Sequence, residues 1–282
     1  MESVGRSRDA RYRPIIRQYV MNLLQRALIE KAGHDNGFEH VLSTSTEHCT
    51  ALGSACHPVE LQLRASPGGF HGELIRCQPH LPVELARSFP DWVQPGETAG
   101  FNYLLTSEAA MARWMRRAAS LGQSLPNHAV ATFDVQVQAA LAALEPAAAK
   151  ATEVQRLIRQ RVGQQAFRQA MLDYWGGACA VSGVELTQAL RASHAKAWAL
   201  CGTDAERLDV YNGFLLSANI DALFDTYLAT FSPDGQLLVA PAVSASVLAR
   251  LGIASGFRLR WLDDGHLPYL DFHRSQCGWL AT

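Results

Sequence analysis

The sequence lacks several features that mark particular classes of protein. It holds six cysteines but no CxxC pair, so a zinc clamp made from two such pairs is excluded, and the low cysteine density argues against a disulfide framework. No uncharged apolar run approaches the ~20 residues that a membrane-spanning helix needs, and the N-terminal segment lacks the apolar core of a secretory signal. We therefore expect a cytoplasmic protein in a reducing compartment, with no membrane partner.

An excess of charge of either sign is also absent. The 282 residues include 25 Lys and Arg against 26 Asp and Glu, which gives a net charge of −1. This excludes a generally basic protein that coats nucleic acid, but it is compatible with a local basic patch beside a catalytic centre. Hydrophobic residues make up 48% and charged residues 18%, which is typical of a globular protein, and the length favours two domains.

Residue spacing predicts helices and strands in the first half of the chain. Apolar residues recur at helical intervals over residues 14–32, and Gly33 with the following His-Asp-Asn-Gly is expected to end that helix. Residues 59–77 alternate around a Pro-Gly-Gly turn and predict a β-hairpin. Two more helices are predicted at residues 107–121, with Thr106 or Ser107 as N-cap, and at residues 133–145.

A change of composition at residues 145–153 predicts a short linker, which divides the chain into domains at residues 1–150 and 151–282. Residues 152–175 predict one long helix or two helices broken at Gly163. The remaining elements are predicted in this order: a loop and strand in GGACAVSGVEL, a strand that ends at His194, a polar insert at residues 199–210, a turn, a short helix, and a hairpin with Pro-Asp-Gly at its turn.

Three polar residues of the second half are candidates for chemistry: His194, Asn212 and Asp221. Hydrolysis of a phosphodiester requires a base that activates water and a cation that stabilises the developing charge. Histidine can be such a base near neutral pH, a carboxylate is a good ligand for Mg²⁺, and asparagine can fix a loop or add an oxygen ligand. Residue types alone leave alternatives open, namely a hydrogen-bonded core histidine, a simple Asn-Gly turn and an aspartate N-cap.

The blocks around these residues occur in a specific order. They read FRQAMLDY, CAVSG, ASHAKAW and NGFLLSANIDALFD, followed by a hairpin. Over roughly residues 153–240 this order resembles the HNH endonuclease family, in the branch common in bacterial restriction-type proteins. The resemblance implies an α+β protein. A mixed α/β N-terminal domain of unrecognised fold would precede a C-terminal ββα-metal (HNH) nuclease domain with a C-terminal extension.

The resemblance also implies roles for individual residues. His194 would be the general base, and Asn212 would hold the catalytic loop. Asp221 stands where the family usually has a third histidine, and as a carboxylate it would bind Mg²⁺ or Mn²⁺ with Asn219 assisting. Ser193 occupies a place where many members carry an acidic or histidine ligand, so the protein is expected to hold the metal through few ligands.

Three cations are candidates for contact with DNA phosphates. Arg161 and Arg168 lie seven residues apart, hence on one helical face, and Lys196 is close to the predicted base. The alternative for the two arginines is a solvated helix surface or a bracing role beside the active site.

These roles predict a metal-dependent DNA endonuclease that acts in restriction or anti-phage defence. DNA is the expected substrate, and a homodimer and partner proteins of a defence system are candidate associates. Residues 1–150 are assigned a target-recognition or regulatory role by analogy with modular nucleases. Two alternatives remain: a degenerate HNH module that binds DNA or a partner without cutting, and a nuclease effector that its N-terminal domain holds inactive.

Overall fold

The computed structural model describes residues 19–94, 102–125, 128–144 and 151–280. Its first half contains a six-stranded antiparallel sheet with the strand order β1-β2-β3-β4-β6-β5. The strands are β1 (His40–Val41), β2 (Thr50–Gly53), β3 (Glu60–Ser66), β4 (Gly69–Arg76), β5 (Val93–Gln94) and β6 (Asn102–Leu105). The helices of this half are α1 (Leu23–Asp35), α2 (Leu81–Ser88), α3 (Glu108–Ser124) and α4 (His128–Ala142).

Helix α1 begins with a capping box, in which the side chains of Asn22 and Gln25 each accept a hydrogen bond from the other residue's backbone N–H. Of the helix predicted at residues 14–32, positions 14–18 lie outside the described residues. The helix ends within the predicted segment 33–37, at Asp35 with Asn36 as C-cap, and not at Gly33 itself. Gly33 is instead a packing position, since a Cβ there would overlap the side chain of Leu52.

The other predictions for the first half are confirmed. β3 and β4 form the predicted antiparallel hairpin, and Leu61 and Leu63 of β3 point into the core. Ser107 is the N-cap of α3, where its side chain accepts a hydrogen bond from the backbone N–H of Ala110. The helix predicted at residues 133–145 is α4, although it begins five residues earlier, at His128.

The second half begins with the long helix α5 (Thr152–Tyr174). It continues with two antiparallel strand pairs, β7 (Leu190–His194) with β8 (Gly213–Ser217), and β9 (Ala229–Phe231) with β10 (Leu237–Val239). The shorter helices are α6 (Asp204–Leu208), α7 (Ala218–Phe224), α8 (Ala245–Arg250) and α9 (Leu267–Gln276). The strand ending at His194, the short helix α7 and the final hairpin are all as predicted.

Helix α5 is continuous, so of the two alternatives at Gly163 the single long helix is confirmed. Gly163 is buried, and a Cβ there would overlap the indole ring of Trp198. The glycine therefore marks a close approach of a loop to the helix rather than a break. Residues 145–150 of the predicted linker lie outside the described residues.

The strand predicted within GGACAVSGVEL is wrong. Residues 176–186 form turns instead, with positive φ at Gly176, Gly177 and Gly183. The segment is nevertheless tied to the strand pair, because the backbone N–H of Ala180 donates to the carbonyl of Leu215. Sequence spacing also missed β8, which lies where only a turn and a helix were expected.

The end of α5 makes polar contacts with helices of the first half. Arg117 of α3 donates hydrogen bonds to the carbonyl oxygens of Asp173 and Tyr174. The hydroxyl of Tyr174 donates to Glu84 of α2 at 2.8 Å, and both side chains are buried. These contacts join the two halves through one continuous core.

Within the four described ranges, no helix combines the length and the apolar character that a bilayer crossing requires.

We expect the substitution Gly163→Ala to lower the free energy of unfolding by about 1–2 kcal/mol. Alanine in a helix interior normally stabilises by about 0.5–1 kcal/mol, but overlap with Trp198 in a packed core costs about 1–3 kcal/mol. Urea unfolding monitored by circular dichroism measures the difference. Gln164→Ala, one residue away on the exposed surface, is the control and should change little; equal or greater stability of Gly163→Ala would contradict the packing described here.

Candidate active site

The antiparallel strands β7 and β8, followed at once by α7, position the candidate residues. His194 at the end of β7 pairs with Gly213 at the start of β8. A Cβ on Gly213 would overlap the carbonyl oxygen of Ser193, so only glycine allows the strands to approach this closely. Asn212 precedes β8, and Asp221 lies in the first turn of α7. Since Ser217 is the N-cap of α7, the alternative role of Asp221 as an N-cap is wrong.

The imidazole ring of His194 is held on two sides. It stacks on Phe167 of α5 with ring centroids 3.7 Å apart and planes 16° from parallel. Its Nε2 lies 2.9 Å from the carbonyl oxygen of Arg207. A carbonyl oxygen only accepts hydrogen bonds, so Nε2 carries the hydrogen in the neutral ring and Nδ1 keeps its lone pair. The ring is thus oriented with Nδ1 as the atom that can take a proton.

The surroundings of His194 favour the neutral form. Burial lowers the pKa of His194 below its ordinary value, while the hydrogen bond to Arg207 and the negative charge of Asp225 oppose this shift. A histidine with a lowered pKa is unprotonated at neutral pH, which is the state that a general base needs.

Asp221 is paired with the residue that precedes the histidine. The hydroxyl of Ser193 donates a short hydrogen bond to Oδ1 of Asp221. Burial raises the pKa of the Asp221 carboxyl, and the nearby charge of Asp225 raises it further, against the opposing effects of Ser193 and Arg191. A partly buried carboxylate near a second one is an environment that a cation would stabilise.

The oxygen atoms of Asp221 and Ser193 fit a hard divalent cation better than a metal that prefers nitrogen or sulfur ligands. In the part of the chain that the structure describes, no group of three or more His, Cys, Asp or Glu side chains is arranged to hold a metal ion.

Asn212 is fully buried and cross-links the loop that follows His194. Its Oδ1 accepts a hydrogen bond from the backbone N–H of Lys196 at 2.8 Å. Its Nδ2 donates to the carbonyl oxygens of Lys196 and Glu206, at 3.2 and 2.9 Å. The Asn212 amide therefore fixes both ends of this loop. One end is the turn of α6, where the carbonyl of Arg207 orients His194.

Asn219, the predicted second metal residue, makes a contact outside the Ser193–Asp221 pair. Its Nδ2 donates to the carbonyl oxygen of Leu251 at 2.5 Å. This bond fixes the amide group and leaves Oδ1 as its remaining ligand atom. Its role at a metal stays a prediction.

The three predicted DNA-binding cations differ in their surroundings. The ammonium group of Lys196 pairs with Glu206 at 3.0 Å. Arg168 donates to the carbonyl oxygens of Leu190 and Thr187, so it braces the start of β7. Arg161 is exposed on α5. Contact of these residues with DNA stays a prediction.

Sequence reasoning missed three residues that shape the site: Phe167, Arg207 and Asp225. Phe167 stands in the FRQAMLDY block, but nothing in that block shows that the ring lies against His194. Arg207 contacts His194 through its main-chain carbonyl, and every residue type has such a carbonyl, so the sequence does not reveal this contact. Asp225 directly follows α7, and its charge acts on both His194 and Asp221, an effect that depends on distances in the fold.

Comparison with protein families adds one decisive match. Residues 179–232 match the model of a family described as HNH endonuclease. The C-terminal half of the chain therefore carries an HNH endonuclease domain. The HNH domain includes Ser193, His194, Asn212 and Asp221, so the geometry described above falls inside the matched range. No curated protein matches the chain.

We expect Asn212→Ala to destabilise the HNH domain by about 1–3 kcal/mol, because the backbone N–H of Lys196 and the carbonyl of Glu206 would lose their buried partner. Urea unfolding measures this change. Gln188→Ala, an exposed polar truncation close to β7, is the control. Wild-type stability of Asn212→Ala would show that the amide does not hold the loop.

Proposed function

We propose that this protein is a DNA endonuclease of the HNH type that hydrolyses phosphodiester bonds with the help of Mg²⁺ or Mn²⁺. The observation that carries the proposal is the state of His194 inside the matched HNH range. The ring is stacked on Phe167, bonded through Nε2 to the Arg207 carbonyl, and neutral through burial.

In this proposal His194 is the general base. Its Nδ1 takes the proton from the water molecule that attacks phosphorus, and the Arg207 carbonyl stabilises the positive ring through the N–H of Nε2. The stack on Phe167 limits rotation of the ring, so the base is positioned before the substrate arrives. Asn212 keeps the Arg207 carbonyl in place through its bond to the adjacent Glu206.

Asp221 is the proposed metal ligand, with Ser193 beside it and Asn219 as a further oxygen donor. A divalent cation bound there would supply charge stabilisation to the scissile phosphate and the leaving oxygen. The strands β7 and β8 with α7 would then be the ββα-metal unit, within a nuclease domain at residues 151–282 that includes the C-terminal extension. Residues 1–150 would recognise or regulate the target.

The cellular setting of this activity depends on the resemblance of the sequence blocks alone. It comprises a cytoplasmic location, a part in restriction or anti-phage defence, and association as a homodimer or with defence partners. DNA contact by Arg161, Arg168 and Lys196 belongs to the same proposal. For Arg168 and Lys196, it requires that their present protein contacts be exchanged or shared.

The first test is plasmid cleavage. With Mg²⁺ or Mn²⁺ the full chain should nick or linearise supercoiled DNA, and His194→Ala should slow cleavage by at least about 100-fold, the usual contribution of a general base. Agarose gel electrophoresis over a time course measures the rate.

The matched control for this test is His40→Ala, which removes an exposed histidine of β1. It should cleave at the wild-type rate. Equal cleavage by His194→Ala and wild type would overturn the catalytic role. Binding of DNA by the wild type without any cleavage would favour the degenerate module instead.

A second test addresses the metal ligand. Asp221→Asn keeps the shape of the side chain but removes its charge, so we expect the Mg²⁺ concentration for half-maximal cleavage to rise by about tenfold or more. Titrating Mg²⁺ in the plasmid assay measures the shift, and Asp91→Asn, an exposed carboxylate of the first half, is the control. An unchanged Mg²⁺ requirement in Asp221→Asn would place the metal elsewhere.

A further inference from the structure

A cavity lies where the two halves of the chain meet, and none of the candidate residues of the HNH site lines it. It has a volume of about 620 Å³, within the usual range of small-molecule sites. Its walls come from the end of α2, from α3, from the last turn of α5 with the loop that follows, and from Arg260 and Trp261. We call this cavity the junction cleft.

Two arginines of the junction cleft are fixed on pairs of stacked aromatic rings. Phe89 and Trp92 stack with centroids 4.3 Å apart, and the guanidinium of Arg113 lies 5.5 Å from the Phe89 ring. Trp175 and Trp261 stack at 4.4 Å.

The guanidinium of Arg260 lies 4.6 Å from the Trp261 ring and also donates to the carbonyls of Trp175 and Ala178. Stacking of this kind orients a planar guanidinium while leaving N–H groups on its edge available for an anion.

The lining of the junction cleft has a surplus of positive charge. Five arginines face two carboxylates, Asp173 and Glu185; the arginines are Arg87, Arg113, Arg116, Arg117 and Arg260. Arg87 pairs with buried Glu84 at 2.7 Å, and Arg117, like Arg260, donates to main-chain carbonyls.

Arg113, Arg116 and Arg260 are exposed, and among the described residues none of the three forms an ion pair with a carboxylate, although the charge of Glu185 acts on Arg260. Arg116 uses Nε to donate to the side chain of Asn36, which leaves its terminal N–H groups available.

The cleft is also distinct from the HNH site. His194 stacks on Phe167, whereas Leu172 and Asp173 are the first residues of α5 that line the cleft. Glu185 and Thr187 of the cleft fall within the matched range 179–232, but none of the candidate site residues lines the cleft. The cations of the cleft are therefore additional to the proposed catalytic group.

We propose that the junction cleft binds the phosphate groups of a small, nucleotide-sized ligand. Oriented guanidinium groups without carboxylate partners are the side chains best suited to phosphate, which they bind through paired hydrogen bonds. A volume of about 620 Å³ fits a small ligand, and residues of both halves would contact it. A ligand that binds the folded chain stabilises it, increasingly so as the ligand concentration rises.

The test is a titration of the full chain with ADP, inorganic pyrophosphate and adenosine. Tryptophan fluorescence reports binding directly, since Trp175 and Trp261 line the cleft. We expect ADP and pyrophosphate to change the fluorescence and raise the thermal midpoint, and adenosine, which lacks phosphate, to do neither. The double variant Arg113→Gln/Arg116→Gln should weaken ADP binding by about tenfold or more.

Arg64→Gln/Arg76→Gln removes the same charge from exposed positions of β3 and β4 and should bind ADP like the wild type. Arg260→Gln, on the other aromatic pair, is a second variant in case the first unfolds, and circular dichroism checks the folding of both.

Absence of ADP and pyrophosphate binding at millimolar concentration would overturn the proposal, as would unchanged affinity for ADP in the folded variants. The proposal would also be overturned if the arginine variants weakened binding of a short DNA duplex but not of ADP or pyrophosphate. That result would place the cleft on the path of the DNA. None of these outcomes depends on whether His194 cleaves DNA.

Discussion

Helix α5 is the element on which both the candidate site and the contact between the halves depend. Phe167, in the middle of α5, stacks on the ring of His194. Gly163 leaves space for the indole of Trp198, which lies in the loop after β7. The last turn of α5 receives Arg117 of α3 at two carbonyl oxygens. Burial lowers the pKa of Arg117 to about 10, so the guanidinium remains charged at neutral pH. A cation at these carbonyls also opposes the negative end of the helix dipole.

In the HNH domain, the groups that fix the ring of His194 are separate from the groups that carry negative charge. A general base at His194, as proposed, must be free to accept a proton and yet be fixed in direction. Main-chain oxygen of Arg207 and the face of Phe167 fix it without adding a competing charge in direct contact. The negative charges lie at Asp221 in α7 and at Asp225 directly after it, where they would favour a cation. The proposed base and the proposed ligand thus occupy different elements of one small unit.

Sequence patterns predicted the elements whose signals are local. Periodicity and capping residues were sufficient for α3, for the β3–β4 hairpin and for the strand that ends at His194. They were not sufficient at Gly33 and Gly163, which were interpreted as a helix end or break because glycine has low helix propensity. Both positions are governed by tertiary packing, against Leu52 and Trp198, which no local window contains.

The candidate site shows the same division. Ordered motif blocks identified His194, Asn212 and Asp221, because those blocks fix residue type and order. They could not predict that the His194 ring would bond to a main-chain carbonyl, since main-chain atoms are the same at every residue. Nor could they show that Arg168 and Lys196 would be paired within the protein, because pairing depends on distances across the fold.

The hydrogen bond between Tyr174 and Glu84 has a consequence for dividing the chain. A fragment that begins near residue 150 would lose Glu84 and Arg117 together, and with them the partners of the Tyr174 hydroxyl and of two carbonyls at the end of α5. The ring of Tyr174 would keep its contacts with Tyr211 and Trp261 of the second half, but its buried hydroxyl would lose its acceptor. The last turn of α5 is therefore the place where the stability of the second half depends on polar partners from the rest of the chain.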